Sequence, residues 1–250
     1  MNLWRGDPEL VLPYEEGQIN KSVERAIDKI SYTQTEIEKS DLAIFIAQAK
    51  LRHIPFSNGV ASRDALEYCK IAAKSSDYIK DSILISAQVY ILTGEKSLAR
   101  KKIEEFAPFI ETKELAAPFI SVFAQFSIFS GDFLSAQNYL SSAEEHFVRF
   151  NDDTLLHQEI IFYQAVNAYL SGELHTAEEL IELVESYFRS DFGGVSYNYL
   201  LTRALLLKLL LIDTNKNKLQ KEITDLLRHQ DKEVAIALEA FIQELMVLKQ

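Results

Sequence analysis

The five histidines and the single cysteine are the side chains in this chain best suited to metal binding or nucleophilic catalysis, and they are scattered. No phosphate-binding glycine loop, no HExxH and no paired Cys/His spacing accompanies them. Only His146 and His157 are close enough in sequence, across a segment with Asp152 and Asp153, to suggest a metal site. A turn rich in Asn and Asp is already explained by helix capping. We therefore expect no catalytic residue, no metal and no cofactor.

Composition sets further limits on the class of protein. Cys69 has apolar neighbours, which is typical of a small core residue, and one cysteine cannot form an internal disulfide. Residues 1–17 have no apolar core of the signal-peptide type, and the apolar stretch 199–212 is shorter than the roughly 20 residues that a bilayer requires. The net charge of −11 argues against nucleic-acid binding. We expect a cytoplasmic protein without a membrane span.

A seven-residue sequence motif is repeated at 93–99, 130–136 and 171–177. It indicates the helices that position these side chains. Each copy has Gly second, an acidic residue third and Ala seventh, and another Ala lies seven residues before the Gly. The Gly is expected to end one helix in a left-handed conformation, and the acidic residue to begin the next. The alanines would let the two helices approach closely. The repeated positions are Ala87, Gly94, Ala99, Ala124, Gly131, Ala136, Ala165, Gly172 and Ala177.

This pattern resembles the tetratricopeptide repeat family in a long-helix form. The small residue, the turn Gly, the second-helix Ala and a large aliphatic residue four positions later all match, and Tyr90 matches the first-helix tyrosine. The family's Trp and closing Pro are missing, and the glycines are 37 and 41 residues apart, against about 34 in the common form. The resemblance covers about 78–190 and implies an all-α fold, a right-handed α-solenoid of antiparallel helix pairs.

Periodicity and capping residues predict helices along nearly the whole chain and no strand. The array of helix pairs is expected over 18–231, followed by a capping helix over 232–250. An extended segment is expected over 1–17, and it could fill a groove as a lid. The predicted helices span 18–31, 34–52, 61–74, 77–93, 95–108, 112–130, 132–149, 153–171, 173–189, 196–212, 216–229 and 232–248.

In the family that the chain resembles, the first helix of each pair lines a concave groove. Gln88 and Gln125 share one groove position, where a side-chain amide could bond the backbone of a bound peptide. The other positions are unusually apolar. Either neighbouring repeats cover them, or they form an apolar slot for a partner's helix or extended segment. Counting from the glycines places these residues in the groove: Asp81, Leu84, Gln88, Ile91, Ser121, Gln125, Ile128, Glu159, Phe162 and Tyr169.

The sequence thus favours a non-catalytic scaffold or adaptor that binds a partner peptide or helix in this groove. Two alternatives stay open. One is a regulator of the same architecture that responds to a signal peptide. The other is a structural subunit of a larger assembly, with 241–246 or the 199–212 helix as a permanent interface. A homo-oligomer through the C-terminal helices is one form that such an assembly could take.

Overall fold

The computed structural model describes residues 7–53, 59–109, 116–150, 155–190, 198–212 and 216–249. These residues form thirteen α-helices and two short 3-10 turns without a strand, so the all-α fold class is confirmed. None of the described helices is long and apolar enough to cross a bilayer. The helices are α1 (Pro8–Glu15), α2 (Ile19–Tyr32), α3 (Glu36–Leu51), α4 (Gly59–Ala72), α5 (Ile79–Leu92), α6 (Lys96–Phe106), α7 (Ala116–Ser130), α8 (Phe133–Phe150), α9 (Leu155–Ser171), α10 (Leu174–Arg189), α11 (Asn198–Leu211), α12 (Lys216–Leu227) and α13 (Lys232–Leu248).

The helices belong to two compact units. The first consists of Met1–Phe109 and His229–Phe241, and the second of Ile110–Arg228 and Ile242–Gln250. In the first unit α1 packs on α2, α3 on α4 and α5 on α6, and α3 also packs on α5. In the second unit α7 packs on α8, α9 on α10 and α11 on α12, while α9 also packs on α7 and on α11. Each unit is therefore built from consecutive helix pairs whose first helices also touch one another.

The three repeated turns have one geometry. Gly94, Gly131 and Gly172 have φ angles of 74°, 81° and 91°, a left-handed conformation that side chains rarely adopt. In the first turn the Gly94 N–H donates to the Ile91 carbonyl at 3.1 Å, and the next N–H reaches back to the Tyr90 carbonyl at 2.9 Å. The same two bonds recur at the other two glycines. This is the Schellman arrangement, which satisfies the last carbonyls of a helix.

The acidic residue after each glycine does not act alike in the three turns. Only Asp132 caps its helix, accepting the Ser135 N–H at 3.1 Å, and this bonding to Ser135 lowers the pKa of Asp132. Glu173 makes no side-chain cap bond, and Glu95 instead accepts from the Thr93 hydroxyl at 3.2 Å. The predicted start of a helix is right at all three turns, although the side-chain contact differs.

The repeated alanines lie in the core, as predicted. Ala87 is 1% exposed and the other five flanking alanines are fully buried. First helices such as α9 are buried around most of their circumference, because they contact other first helices as well as their own partner. Second helices bury one stripe only, spaced three or four residues apart. In α6 and α10 the buried residues are Ala99, Ile103, Phe106, Ala177, Ile181 and Val184.

The expectation of an extended segment over 1–17 is wrong for residues 8–15, which form helix α1, while residues 1–6 lie outside the described residues. Asp7 caps this helix by accepting the Glu9 N–H at 3.1 Å. Pro8 stands in the first turn, where an N–H would have no helical partner. The segment is helical because its local cap and its proline position both favour a helix start.

The second proline of this segment lies inside α1 without breaking it. Pro13 has no N–H, so it leaves the Glu9 carbonyl without its usual donor. Arg25 of α2 supplies that donor, with its Nη1 at 2.8 Å from the Glu9 oxygen. Leu10 is fully buried, and the Tyr14 ring packs against Phe45 of α3 at 5.7 Å between centroids. Helix α1 is thus part of the core of the first unit, paired with α2.

Candidate functional site

The predicted groove positions of the first unit lie on α5, and two of them are accessible. Leu84 and Ile91 are buried, whereas Asp81 and Gln88 are partly exposed. Asp81, Leu84 and Gln88 are spaced three and four residues apart, so they share one side of the helix. We call these three residues the α5 strip. Its buried leucine has a carboxylate on one side, at Asp81, and an amide on the other, at Gln88.

The corresponding positions on α7, in the second unit, are closed. Ser121, Gln125 and Ile128 are 3%, 4% and 0% exposed. The Gln125 amide nitrogen lies 3.4 Å from the Ser121 hydroxyl oxygen within the same helix. Gln88 and Gln125 occupy one repeat position but differ in access, and only Gln88 is presented at a surface of its unit.

On α9 the predicted groove positions are covered by a buried arginine of α11. Arg203 is 5% exposed; its Nη2 donates to the Tyr163 hydroxyl at 3.0 Å, and its Nη1 lies 3.8 Å from Glu159 Oε1. The guanidinium carbon stands 4.5 Å from the ring centroid of Phe162 and 5.6 Å from that of Tyr199. A guanidinium over aromatic faces is attracted by their quadrupoles. Helix α11 therefore fills the place over Phe162 where a partner side chain was expected.

Burial opposes the positive charge on Arg203, yet its polar and acidic neighbours more than offset this effect. The pKa of Arg203 accordingly lies above its ordinary value, and the side chain is always charged. The second charged residue of the apolar stretch, Lys208, donates to Glu185 Oε2 at 2.6 Å. Although burial opposes it, pairing with Lys208 and Arg189 lowers the pKa of Glu185. Both cations of α11 thus contact carboxylates from the preceding helix pair.

The last groove position on α9, Tyr169, is covered by Lys249, near the C-terminal end of the described residues. Tyr169 is 6% exposed, and Lys249 Nζ lies 3.6 Å from its ring centroid. Partial desolvation lowers the pKa of Lys249. Of the two interpretations left open by the sequence, burial by other parts of the chain describes the second unit, whereas the α5 strip of the first unit has accessible polar groups.

No metal site is formed by the described residues, among which no group of three or more His, Cys, Asp or Glu side chains could hold an ion. The suggested cluster lies outside them, since the side chain of His146 and the segment with Asp152 and Asp153 are not described. Cys69 is 3% exposed, and burial raises the pKa of its thiol to about 11. The prediction of a core cysteine is confirmed.

Sequence reasoning missed a polar junction in the first unit that joins residues 211 positions apart. Asp231, at the start of α13, accepts the backbone N–H of Asn20 at 2.6 Å and donates its own N–H to the Gly17 carbonyl at 3.0 Å. Gln18, the N-cap residue of α2, makes no side-chain cap bond. A carboxylate from the far end of the chain therefore satisfies a first-turn donor of α2. No local signal in the sequence marks such a cap.

His53 lies in the same junction. It is 6% exposed, its Nε2 makes no hydrogen bond, and the nearest acidic oxygen is Asp231 Oδ2 at 3.8 Å. Burial and the charge of Lys50 lower the pKa of His53, while Asp231 and Glu233 act in the opposite sense without prevailing. The folded state therefore favours the neutral imidazole.

We expect His53 to make the stability of the chain sensitive to mild acid. Its folded pKa is lower than its unfolded value of about 6.5, so the stability it contributes is present above that pH. This stability is lost as the pH falls through the folded pKa, since the unfolded state binds the proton more readily. Thermal unfolding of the wild type and of His53→Gln at pH 7.5, 6.5 and 5.5 measures the effect. The wild type should lose more of its Tm on acidification than the variant does. Parallel losses would show that other groups carry the pH dependence.

No protein-family model matches this chain, and neither a curated protein nor a solved structure matches it. Its function is therefore inferred from the geometry of its own residues.

Proposed function

We propose that the chain is a non-catalytic protein-interaction module, an α-solenoid of the tetratricopeptide type whose first helices bind a peptide or helix from a partner protein. Three identical Schellman turns, each flanked by buried alanines, support the repeat architecture. The packing of first helices on one another within each unit supports an inner layer of helices. A cytoplasmic location fits the single thiol, which is buried.

The α5 strip is the observation that carries the proposal. A side-chain amide can both donate to and accept from a peptide backbone, and a carboxylate accepts from N–H groups. Asp81 and Gln88 are separated by two helical turns, a rise of about 10 Å, which an extended peptide covers in about three residues. An extended segment lying along α5 could therefore reach both side chains while packing on the edge of Leu84.

Replacing Gln88 with Ala should weaken the affinity for the partner about 2- to 10-fold, because one hydrogen bond contributes about 0.5–1.5 kcal/mol net. Crosslinking with mass spectrometry from cells identifies the partner, and calorimetric titration of the purified pair gives the affinity. The Tm should change little, since Gln88 is partly exposed.

Gln125→Ala is the matched control, because the same residue type at the same repeat position is 4% exposed and lies beside Ser121. It should lower the Tm and leave the affinity unchanged. A Gln88→Ala variant that binds its partner as tightly as the wild type would remove α5 from the binding surface.

A second candidate function is a structural subunit of a larger assembly. It is favoured by opposite charges at the surfaces of two helices, basic Arg100 and Lys101 on α6 and acidic Glu179 and Glu182 on α10.

A further inference from the structure

The second helices of the three repeats carry different charges at equivalent positions. These positions lie six and seven residues after each repeat glycine, beyond the buried alanine. They are basic in α6, neutral in α8 and acidic in α10. The pairs are Arg100 and Lys101, Gln137 and Asn138, and Glu178 and Glu179.

The basic residues of α6 lie at its surface. Lys96, Arg100 and Lys101 are all exposed, and Leu98 is 39% exposed. Leu98 and Lys101 are three residues apart and are therefore neighbours on the helix surface. Positive charge in the first turns of a helix opposes the helix dipole, so these residues do not serve the stability of α6 itself. We call these four residues the basic face.

Helix α10 has the complementary surface. Glu179 and Glu182 are exposed, Glu178 is partly exposed, and Leu183 is 57% exposed. Leu183 follows Glu179 by four residues and so lies next to it on the helix. We call these four residues the acidic face. The acidic face thus has three acidic side chains and an exposed leucine. The basic face has three basic side chains and an exposed leucine, and it stays basic although the exposed Glu104 neighbours Arg100 and Lys101 one turn later.

We propose that copies of this chain associate head to tail, with the basic face of one copy docking on the acidic face of α10 in a second copy. The net charge of −11 makes copies repel in most orientations, and α6 is a place where the local charge has the opposite sign. A second copy is the favoured occupant because one chain carries both faces, and their charged pairs 100–101 and 178–179 are at the same repeat positions. Two different faces leave one of each unused at the ends, so the assembly extends unless it closes into a ring.

Exposed ion pairs contribute little individually and are screened by salt. The association is therefore weak and dependent on ionic strength. Sedimentation velocity of the full chain should show a weight-average mass that rises with protein concentration in 50 mM NaCl. Association should weaken at least about fivefold in 300 mM NaCl, because the Debye length then falls well below 10 Å.

Charge reversal separates this contact from general charge effects. R100E/K101E and E178K/E179K should each abolish self-association. An equimolar mixture of the two should associate again, because each variant keeps the face that the other has lost. K218E/K221E, on the exposed side of α12, changes the net charge as much as R100E/K101E does and should associate as the wild type does.

Circular dichroism establishes that each variant is folded. The proposal is overturned if the wild type is monomeric at every concentration in low salt, or if the mixture of folded variants remains monomeric. Association that persists in both reversed variants would also overturn it, because the contact would then lie elsewhere on the chain. None of these residues belongs to the α5 strip, so Gln88→Ala should leave self-association unchanged and the two proposals fail independently.

Discussion

Replacing Arg203 with Ala should lower the free energy of unfolding by about 3–5 kcal/mol, because it removes a large buried side chain and leaves a buried hydroxyl unpaired. The truncation removes a side chain that is 5% exposed and leaves a cavity between Phe162 and Tyr163. It also leaves the Tyr163 hydroxyl, now bonded by the guanidinium at 3.0 Å, without that donor. Urea unfolding followed by far-UV circular dichroism measures the loss.

Two further variants separate packing from charge. Arg203→Met keeps most of the side-chain volume but removes the positive charge. The loss of that charge should cost little, because Glu159 is exposed enough to be hydrated without it. Arg203→Met combined with Tyr163→Phe also removes the orphaned hydroxyl, and should recover most of the stability that Arg203→Ala loses. If the double variant is as unstable as Arg203→Ala, the charge itself holds α11 on α9. A loss below about 1 kcal/mol for Arg203→Ala would mean that the cluster does not form in solution.

The Arg203 cluster also changes what the second unit can bind. Phe162 and Glu159 were expected to meet a partner, yet both lie against Arg203 of the same unit. A partner would have to displace a paired, stacked guanidinium to reach them. The polar side chains of the α5 strip are partly exposed, which is why the first unit is the better place to search for a binding surface.

The parts of this structure that could be predicted are those that local chemistry determines. Gly94 needs a left-handed backbone, and Ala87 and Ala99 fit the close corner between two helices. Such signals lie within a few residues of one another, and the predicted helix ends agree with the observed ends to within four residues.

The parts that were missed depend on residues distant in sequence. Helix α1 has local start signals in Asp7 and Pro8, but Pro13 inside it is tolerated because the distant Arg25 donates to the Glu9 carbonyl. Access to the groove positions was equally unpredictable, since Gln88 and Gln125 occupy the same repeat position and yet differ in exposure. The repeat pattern locates the inner helices but does not contain the side chains that cover them.

The junction between the two ends of the chain yields the most discriminating stability test. Gly17 has φ of 80° and ends α1 with the same two backbone bonds as the repeat glycines. A Cβ at Gly17 would lie 2.6 Å from Gln230 Cγ, whereas a Cβ at Gly94 would meet nothing within 4 Å. Gly94→Ala should therefore cost only the left-handed backbone strain, about 1–2 kcal/mol. Gly17→Ala adds overpacking against Gln230 and should cost about 2–5 kcal/mol.

A double-mutant cycle isolates the contact with Gln230. Gln230→Ala removes Cγ and Cδ, which the new methyl group would strike, and leaves only Cβ at 3.1 Å. Gly17→Ala with Gln230→Ala should therefore cost about 1–2 kcal/mol less than the two single losses combined. Gly94→Ala with Gln230→Ala is the matched control and should be additive, because Gly94 has no such neighbour. A coupling near zero in the first cycle would mean that residues 230 and 231 do not rest on Gly17 in solution. A coupling of the expected size would show that Gln230 packs on Gly17, next to the Asp231 carboxylate that caps α2.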